Sequence, residues 1–322
     1  MTDLPPPRVS VLIPVYNGEE FIAKSITSAL DQTLRQIEVI VIDDASTDRS
    51  TETVRALADR DPRLRLVEAA ENGGPGAART LGLRAARGDW IAILDADDEM
   101  VPTRIETLVK IAERDKLDAI ADNLSLRDPG SGEIVASAFP LSQSDSMDLT
   151  AETYLDNIRP GGRVNLGWMQ PLTRREFLLN HGIEWPGVRH AEDMVFVMRL
   201  LMSGARYRLI GEEGYIYTQR WGTHSGRISN ATRTQRSISQ QHLALDLVLT
   251  DPAVVSLSPR ARRRLNLMRH EITATSHVLN ARDNVQSGKP WAAAGSIARL
   301  GMVPLGFARS VKGRFWNRDG IK

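Results

Sequence analysis

The sequence predicts an α/β fold: a mostly parallel central sheet with helices on both faces, followed by a helical C-terminal extension. Three observations predict it. Short β-branched runs alternate with helically spaced segments from Val9 to Leu94, polar residues cluster directly after the runs, and the charge balance reverses near Thr234. Alternation favours parallel strands, because parallel neighbours need a crossover connection and that crossover is usually a helix.

The elements follow in order. Val9 to Val15 (VSVLIPV) is a near-continuous apolar run and reads as a buried strand. Glu20 to Leu30 places Phe21, Ile22, Ser25, Ile26 and Ala29 on one helical face. Ile37 to Ile42 is the second strand, Asp48 to Arg60 a helix, and Leu64 to Val67 the third strand. Gly76 to Ala86 is a helix and Trp90 to Leu94 the fourth strand, with a further helix starting near Pro102. Glu192 to Leu201 begins a helix after the loop Trp185 to Ala191. Ser258-Pro259 supplies a cap and a first-turn proline for a helix whose stripe is Leu265, Met268, Ile272, Thr275 and Leu279.

Composition narrows the class. The 322 residues are 42% hydrophobic and 25% charged, which disfavours disorder, collagen and coiled coil. The absence of cysteine removes disulfides, thiolate metal sites, iron–sulfur clusters and cysteine nucleophiles, and permits a reducing compartment. Met1 to Arg8 holds prolines and no apolar core of a signal peptide, so a cytoplasmic protein is expected. Trp291 to Ala308 carries Arg299 and Pro304 and is too short and too polar to span a bilayer. From Gln235 onward there are 14 basic and 5 acidic residues, a net +9, against −8 in the remainder. An acidic body suits metal and anion chemistry, and a basic tail suits an anionic surface.

Ligands of open α/β sheets bind beyond the carboxyl ends of the strands. Those positions hold Tyr16-Asn17, Asp43-Asp44 and Asp95-Ala96-Asp97-Asp98. Each acidic group alone has an ordinary reading: Asp43 to Asp48 as a capping turn, Asp95 to Asp98 as a polar loop. Together, like charges need a cation or hydrogen-bond donors, and Mg2+ or Mn2+ meets that need with oxygen ligands and substrate phosphates. Gly73, Gly74 and Gly76 open a helix with Arg79 one turn inside, which reads equally as a phosphate cradle or as a structural turn. No G-x-G-x-x-G follows the first strand, and neither G-x-x-x-x-G-K-[ST] nor H-E-x-x-H occurs.

The ordered set Ser10-Val-Leu-Ile-Pro-Val-Tyr-Asn17, Val41-Ile-Asp-Asp-Ala-Ser-Thr-Asp48, Asn72-Gly-Gly with Ala78-Arg79, Leu94-Asp-Ala-Asp-Asp98 and Ala191-Glu-Asp193 resembles the family 2 glycosyltransferases. The resemblance runs from about Arg8 to Asn230. It implies the GT-A fold, a Rossmann-like nucleotide-diphospho-sugar transferase, and inverting transfer in assembly of an exopolysaccharide or other envelope glycan. It puts Pro14, Tyr16 and Asn17 at the floor of the nucleotide pocket, Asp44 on a uracil base and Arg79 beside the nucleotide. In the D-x-D motif it puts Asp95 near the ribose and Asp97 on a divalent metal, Mn2+ or Mg2+. Thr80 departs from the asparagine common in the family. Asp193 corresponds to the catalytic base, with Glu192 beside it at the positive end of a helix. Trp168 resembles an acceptor-facing residue, and His224, Ser225 and Arg227 lie in a segment resembling the loop that closes over the diphosphate.

These readings give a catalytic domain over 1–234, with a nucleotide-binding half of about 8–120 and an acceptor half of about 121–234, and a basic helical region over 235–322. The expected partners are a nucleotide diphosphate sugar, a UDP-sugar first, and a saccharide or lipid-linked saccharide acceptor. No nucleic acid is expected. The basic region, where aromatics alternate with arginines after Trp291, is expected either at the inner face of the cell membrane or in a packing interface. Two rivals stand beside this reading. A nucleotidyltransferase would need a basic glycine loop where Tyr16-Asn-Gly-Glu-Glu20 is acidic, and a catalytically inactive glycan-binding or scaffold protein would not need Asp95, Asp97 and Asp193.

Overall fold

A computed structural model of the chain describes residues 5–158, 166–218 and 230–286. Its elements in chain order are β1 (Val9–Val15), α1 (Ile22–Leu30), β2 (Ile37–Asp43), α2 (Ser50–Ala58), β3 (Leu64–Glu68), α3 (Pro75–Ala85), β4 (Trp90–Ile93) and β5 (Glu99–Met100). There follow α4 (Arg104–Arg114), β6 (Ala119–Arg127), β7 (Ile134–Ser137), β8 (Ser146–Leu149), α5 (Ala151–Asn157), β9 (Leu172–Arg174) and α6 (Arg175–Asn180). The last are α7 (Glu192–Met202), β10 (Tyr207–Thr218), α8 (Asn230–Thr250) and α9 (Pro259–Gln286).

One sheet runs in the order β3-β2-β1-β4-β9-β6-β10-β5, with β7 on β6 and β8 on β10. β1 pairs in parallel with β2 and β4, β2 with β3, and β6 with β10. β4 and β6 both run antiparallel to the short β9, so they point the same way as each other. The long strands therefore share one direction, and the reversed strands are the shorter β5, β7, β8 and β9. β1 and β2 are covered on both faces, as continuous apolar runs require. Glu38 near the start of β2 is buried but accepts from Ser10 Oγ at 2.7 Å and Arg65 Nη1 at 2.9 Å. Both apolar faces that flank the sheet are closed by helices, so the carboxyl ends of β1, β2 and β4 form an edge on which polar residues can gather.

The C-terminal helices dock on this body. α8 packs on α7, and α9 on α5 and α8. Ala261, Leu265 and Met268 form a buried stripe, with Ile272 packed against it. Full burial of a side chain the size of Leu265 or Met268 contributes about 1.5–3 kcal/mol. Ser258 Oγ accepts from the Ala261 N–H at 3.2 Å, the cap that Ser-Pro announces. Arg260, disfavoured by the helix dipole, meets Asp156 at 2.7 Å. The charge boundary at Thr234 falls inside α8. The aromatic and arginine-rich stretch after Trp291 lies outside the described residues.

Candidate active site

The strand ends bring the acidic motifs together, and most of their carboxylates meet protein donors. At the end of β2, Asp43 Oδ2 accepts from the Ser46 N–H at 3.0 Å, so the turn is there, but the N-cap residue of α2 makes no side-chain cap bond. Asp44 is buried and accepts from the Gly73 and Gly74 N–H groups, both at 2.8 Å. The anion facing this glycine turn is thus the chain's own Asp44, which corrects the phosphate-cradle reading of those two N–H groups. Gly74 has φ 84°, a left-handed backbone that favours glycine. Gly76 has a packing reason instead, because a Cβ there would stand 2.1 Å from the Pro186 carbonyl oxygen.

Pro14 lies within β1 and Tyr16 is exposed just beyond it. Asn17, at φ 50°, receives the Thr47 N–H on Oδ1 at 2.8 Å and donates its own N–H to Ser46 Oγ at 2.9 Å. These bonds tie the end of β1 to the turn after β2.

Arg79 sits at the centre. It lies in α3, buried, and its guanidinium is held by three carboxylates from two distant stretches of chain. Nη2 donates to Asp95 Oδ1 at 2.8 Å, and Nη1 donates to Asp193 Oδ1 at 2.8 Å and to Glu192 Oε1 at 3.0 Å. Burial would favour loss of the Arg79 proton, but Asp193, Asp95 and Glu192 more than offset this and raise its pKa. Burial also pushes the Asp193 carboxyl up to about 7; Arg79 opposes that shift, while Glu192 and Asp95 add to it. Burial is the largest of these effects, and with Glu192 and Asp95 it outweighs the arginine. Asp193 still shows 27% of its side chain to the surface, so it is reachable.

The start of α7 is built to hold these acids. Ala191 precedes it at φ 64°, ψ 20°, a left-handed conformation that costs a non-glycine residue about 1–3 kcal/mol and is typical of constrained functional positions. The loop before it is pinned by Trp185 stacked on Phe196 at 3.8 Å and by Thr80 Oγ1 donating to the Trp185 carbonyl at 3.0 Å. Thr80, the departure from the family pattern, therefore braces the loop that leads to Asp193.

The motif after β4 divides its labour. Asp95 Oδ2 accepts from Gln170 Nε2 at 2.9 Å, opposite the Arg79 bond. Asp98 is buried; its oxygens accept from the Thr218 N–H and the Tyr215 hydroxyl, each at 2.8 Å. Burial, then Asp95 and Asp97, raise the Asp98 pKa well above the ordinary range. Asp97 lines an open cleft with Phe21, Lys24, Asp98, Arg127 and Thr218. Protein donors thus meet Asp44, Asp95 and Asp98, while Asp43 keeps Oδ1 buried without a hydrogen-bond partner, so the crowding of charge does not by itself demand a cation. Among the described residues no three His, Asp or Glu side chains group to hold a metal. A hard carboxylate oxygen in an open cleft fits a cation that takes its other ligands from water and phosphate.

On the far side, Trp168 is 39% exposed and stacks on Tyr217, with centroids 5.8 Å apart and planes at 5°. Burial, Asp98, Asp95 and Asp97, in that order, push the Tyr217 hydroxyl up to about 12, which puts this aromatic pair beside the acidic motif. His224, Ser225 and Arg227 lie outside the described residues. Gln170 and Tyr215 stand inside stretches that the sequence singles out for other residues. Arg104 and Asp122 carry no local signal at all, because only the packed sheet brings them under the site.

Comparison with known proteins follows the same pattern. The family model described as Glycosyl transferase family 2 matches residues 10–173. Asp193 lies beyond that span. The succinoglycan biosynthesis protein ExoO of Rhizobium meliloti (strain 1021) is 34% identical over 229 residues, which are 68% of this chain and 63% of that protein. ExoU of the same organism is 34% identical over 230 residues, 70% of this chain and 66% of that protein. The match therefore spans just under two thirds of the length of these relatives. S. aureus TarS 1-349 in complex with UDP-GlcNAc is similar with a TM-score of 0.60 at 16% identity, covering 90% of each chain. The mannosyltransferase PcManGT from Pyrobaculum calidifontis, in complex with GDP-Man and Mn2+, gives 0.56 at 21% identity, covering 97% of this chain and 81% of that one. At such identities the likeness is one of fold, and the fold is the expected GT-A arrangement.

Proposed function

This chain belongs to glycosyl transferase family 2, and from that premise we propose that it transfers a sugar, with inversion, from a nucleotide diphosphate sugar to a saccharide hydroxyl. The observation that carries the proposal is the Arg79 clasp, in which one guanidinium holds Asp95 of the donor-side motif and Asp193 of α7. Donor and acceptor chemistry then meet at one point. A UDP-sugar is the first candidate donor, with Pro14, Tyr16, Asn17 and Asp44 around the nucleotide and Arg79, Asp95 and Asp97 toward the diphosphate. UDP-GlcNAc and GDP-Man in the similar structures support a nucleotide sugar of this general kind.

Asp193 acts as general base. With a pKa near neutrality it is both able to take a proton and largely ionised above that pH. It accepts the proton of the acceptor hydroxyl as that oxygen bonds to the anomeric carbon, on the face opposite the breaking bond to phosphate. An α-linked donor therefore gives a β-linked product. Arg79 fixes the base through Oδ1 and keeps Glu192 from moving into its place. Asp97 would hold Mn2+ or Mg2+, which when bound offsets charge on the departing diphosphate. Trp168, stacked on Tyr217, offers an aromatic face for an acceptor ring.

The succinoglycan proteins support exopolysaccharide assembly as the setting, with a glycan or a lipid-linked saccharide as acceptor. Among the described residues no helix is long and apolar enough to cross a membrane. The basic C-terminal region is proposed to meet an anionic membrane surface, supported by its net charge and by exposed Arg262 and Arg263 on α9. The test is a thermal-shift screen of nucleotide sugars with and without manganese, in which a ligand at 100 times its Kd adds ~2.7 kcal/mol of stability. A manganese-dependent rise with one sugar nucleotide is expected, and no shift with any would sink the proposal.

A further inference from the structure

Beneath the acidic motif lies a second ion pair, Arg104 with Asp122, whose side chains are 1% and 3% exposed. Arg104 Nε donates to the two Asp122 oxygens at 3.0 and 2.9 Å, and Nη2 donates to Oδ1 at 2.8 Å. A buried pair gains little net stability, because desolvation offsets the attraction, and well-packed apolar residues often serve as well. What sets this pair apart is where its remaining contacts go.

Arg104 Nη2 also donates to the Gln170 carbonyl oxygen at 2.6 Å, and its guanidinium carbon lies 5.0 Å from the centroid of the Tyr215 ring. Gln170 and Tyr215 are the residues that hold the motif from below. Gln170 Nε2 donates to Asp95 Oδ2 at 2.9 Å. The Tyr215 hydroxyl donates to Asp98 Oδ2 at 2.8 Å and accepts from the Asp95 N–H at 3.1 Å. The strand is shaped to pass close by: a Cβ on Gly214 would stand 2.4 Å from Asp122 Oδ2 and 2.8 Å from Arg104 Cγ. Gly214 is therefore required where β10 crosses the pair.

We propose that Arg104, anchored by Asp122, is a positioning residue that sets the Gln170 backbone and the Tyr215 ring and through them orients Asp95 and Asp98. The inference rests on the donor-site reading of that motif. Arginine suits the task because its planar fork can bond two acceptors while its face stacks on an aromatic ring; lysine keeps the charge and loses the fork.

The experiment is calorimetric titration of the full-length chain with UDP and with GDP, each with manganese, carrying the tighter nucleotide through the variants. Arg104→Lys should bind it at least tenfold more weakly, and Asp122→Asn, Gln170→Met and Tyr215→Phe several-fold more weakly. Adding Gln170→Met to Arg104→Lys should cost less than the product of the two single effects, because both act through Gln170. Affinity within twofold of wild type in Arg104→Lys, whatever its melting temperature, overturns the proposal, as do fully multiplicative effects. If Arg104→Lys does not fold, unchanged affinity in Asp122→Asn overturns it equally. Failure of the wild-type chain to bind either nucleotide is a different result, one that removes the donor-site reading and this inference with it.

Discussion

Arg79 Nη1 and Asp193 Oδ1 lie 2.8 Å apart, and the other arm of the same guanidinium reaches Asp95 at the same distance. Two acids separated by almost a hundred residues of chain thus sit on either side of one cation. Buried and hydrogen-bonded, this clasp is also a liability, since three carboxylates depend on a single positive charge.

Replacing Arg79 by methionine should therefore be severe. Breaking a buried pair by removing one partner costs about 3–5 kcal/mol, because an uncompensated charge stays behind. Urea denaturation at pH 7.5 should show that loss, and it should shrink at pH 5 as the orphaned acids take up protons. An unchanged midpoint would mean that Arg79 is not the countercharge of the group.

Asp193 makes the stability of the fold depend on pH. Its folded-state value, about 7, lies above the ordinary 3.8, so the folded chain holds this proton more tightly than the unfolded chain does. The stabilisation from protonation is whole below about 3.8 and is lost as pH rises through about 7. Asp193→Asn, neutral throughout, should melt higher than wild type at pH 8, and the advantage should vanish near pH 4. A melting difference independent of pH would contradict the raised value.

Gly76→Ala tests why a glycine opens α3. Helix propensity alone would favour alanine by about 1 kcal/mol. Against this, the added methyl meets the Pro186 carbonyl oxygen at 2.1 Å, and overpacking of this sort costs about 1–3 kcal/mol. A lower melting temperature is expected; a higher one would show that the contact yields and that the glycine serves something other than packing.

Asp97→Ala should abolish manganese-dependent binding of the nucleotide while leaving the fold intact, since Asp97 lines the open cleft where a cation would meet water and phosphate. Titration of the nucleotide with and without manganese reads this directly. Binding that still depends on manganese in the variant would move the metal elsewhere.

Much of this was legible because it is local. The strands β1 to β4 announce themselves by continuous β-branched runs, and the capping Ser258-Pro259 by a two-residue signal, since both depend on neighbours in sequence. Asp44 and the glycine turn were visible as motifs, but not that each is the other's partner, because that bond joins residues on two separate crossovers. Gln170, Tyr215, Arg104 and Asp122 were not legible as parts of the site. Their alignment depends on β9 being inserted between β4 and β6, a pairing that no periodicity encodes.

In the proposed mechanism Asp193 removes the acceptor proton and takes no part in holding the donor. The direct measurement is Asp193→Asn, assayed in one preparation for nucleotide-sugar affinity and for transfer rate. General-base assistance is typically worth ~10²–10⁴-fold. Donor affinity within about twofold of wild type with transfer reduced on that scale is the expected result, whereas transfer within a few-fold of wild type would place the base on another residue.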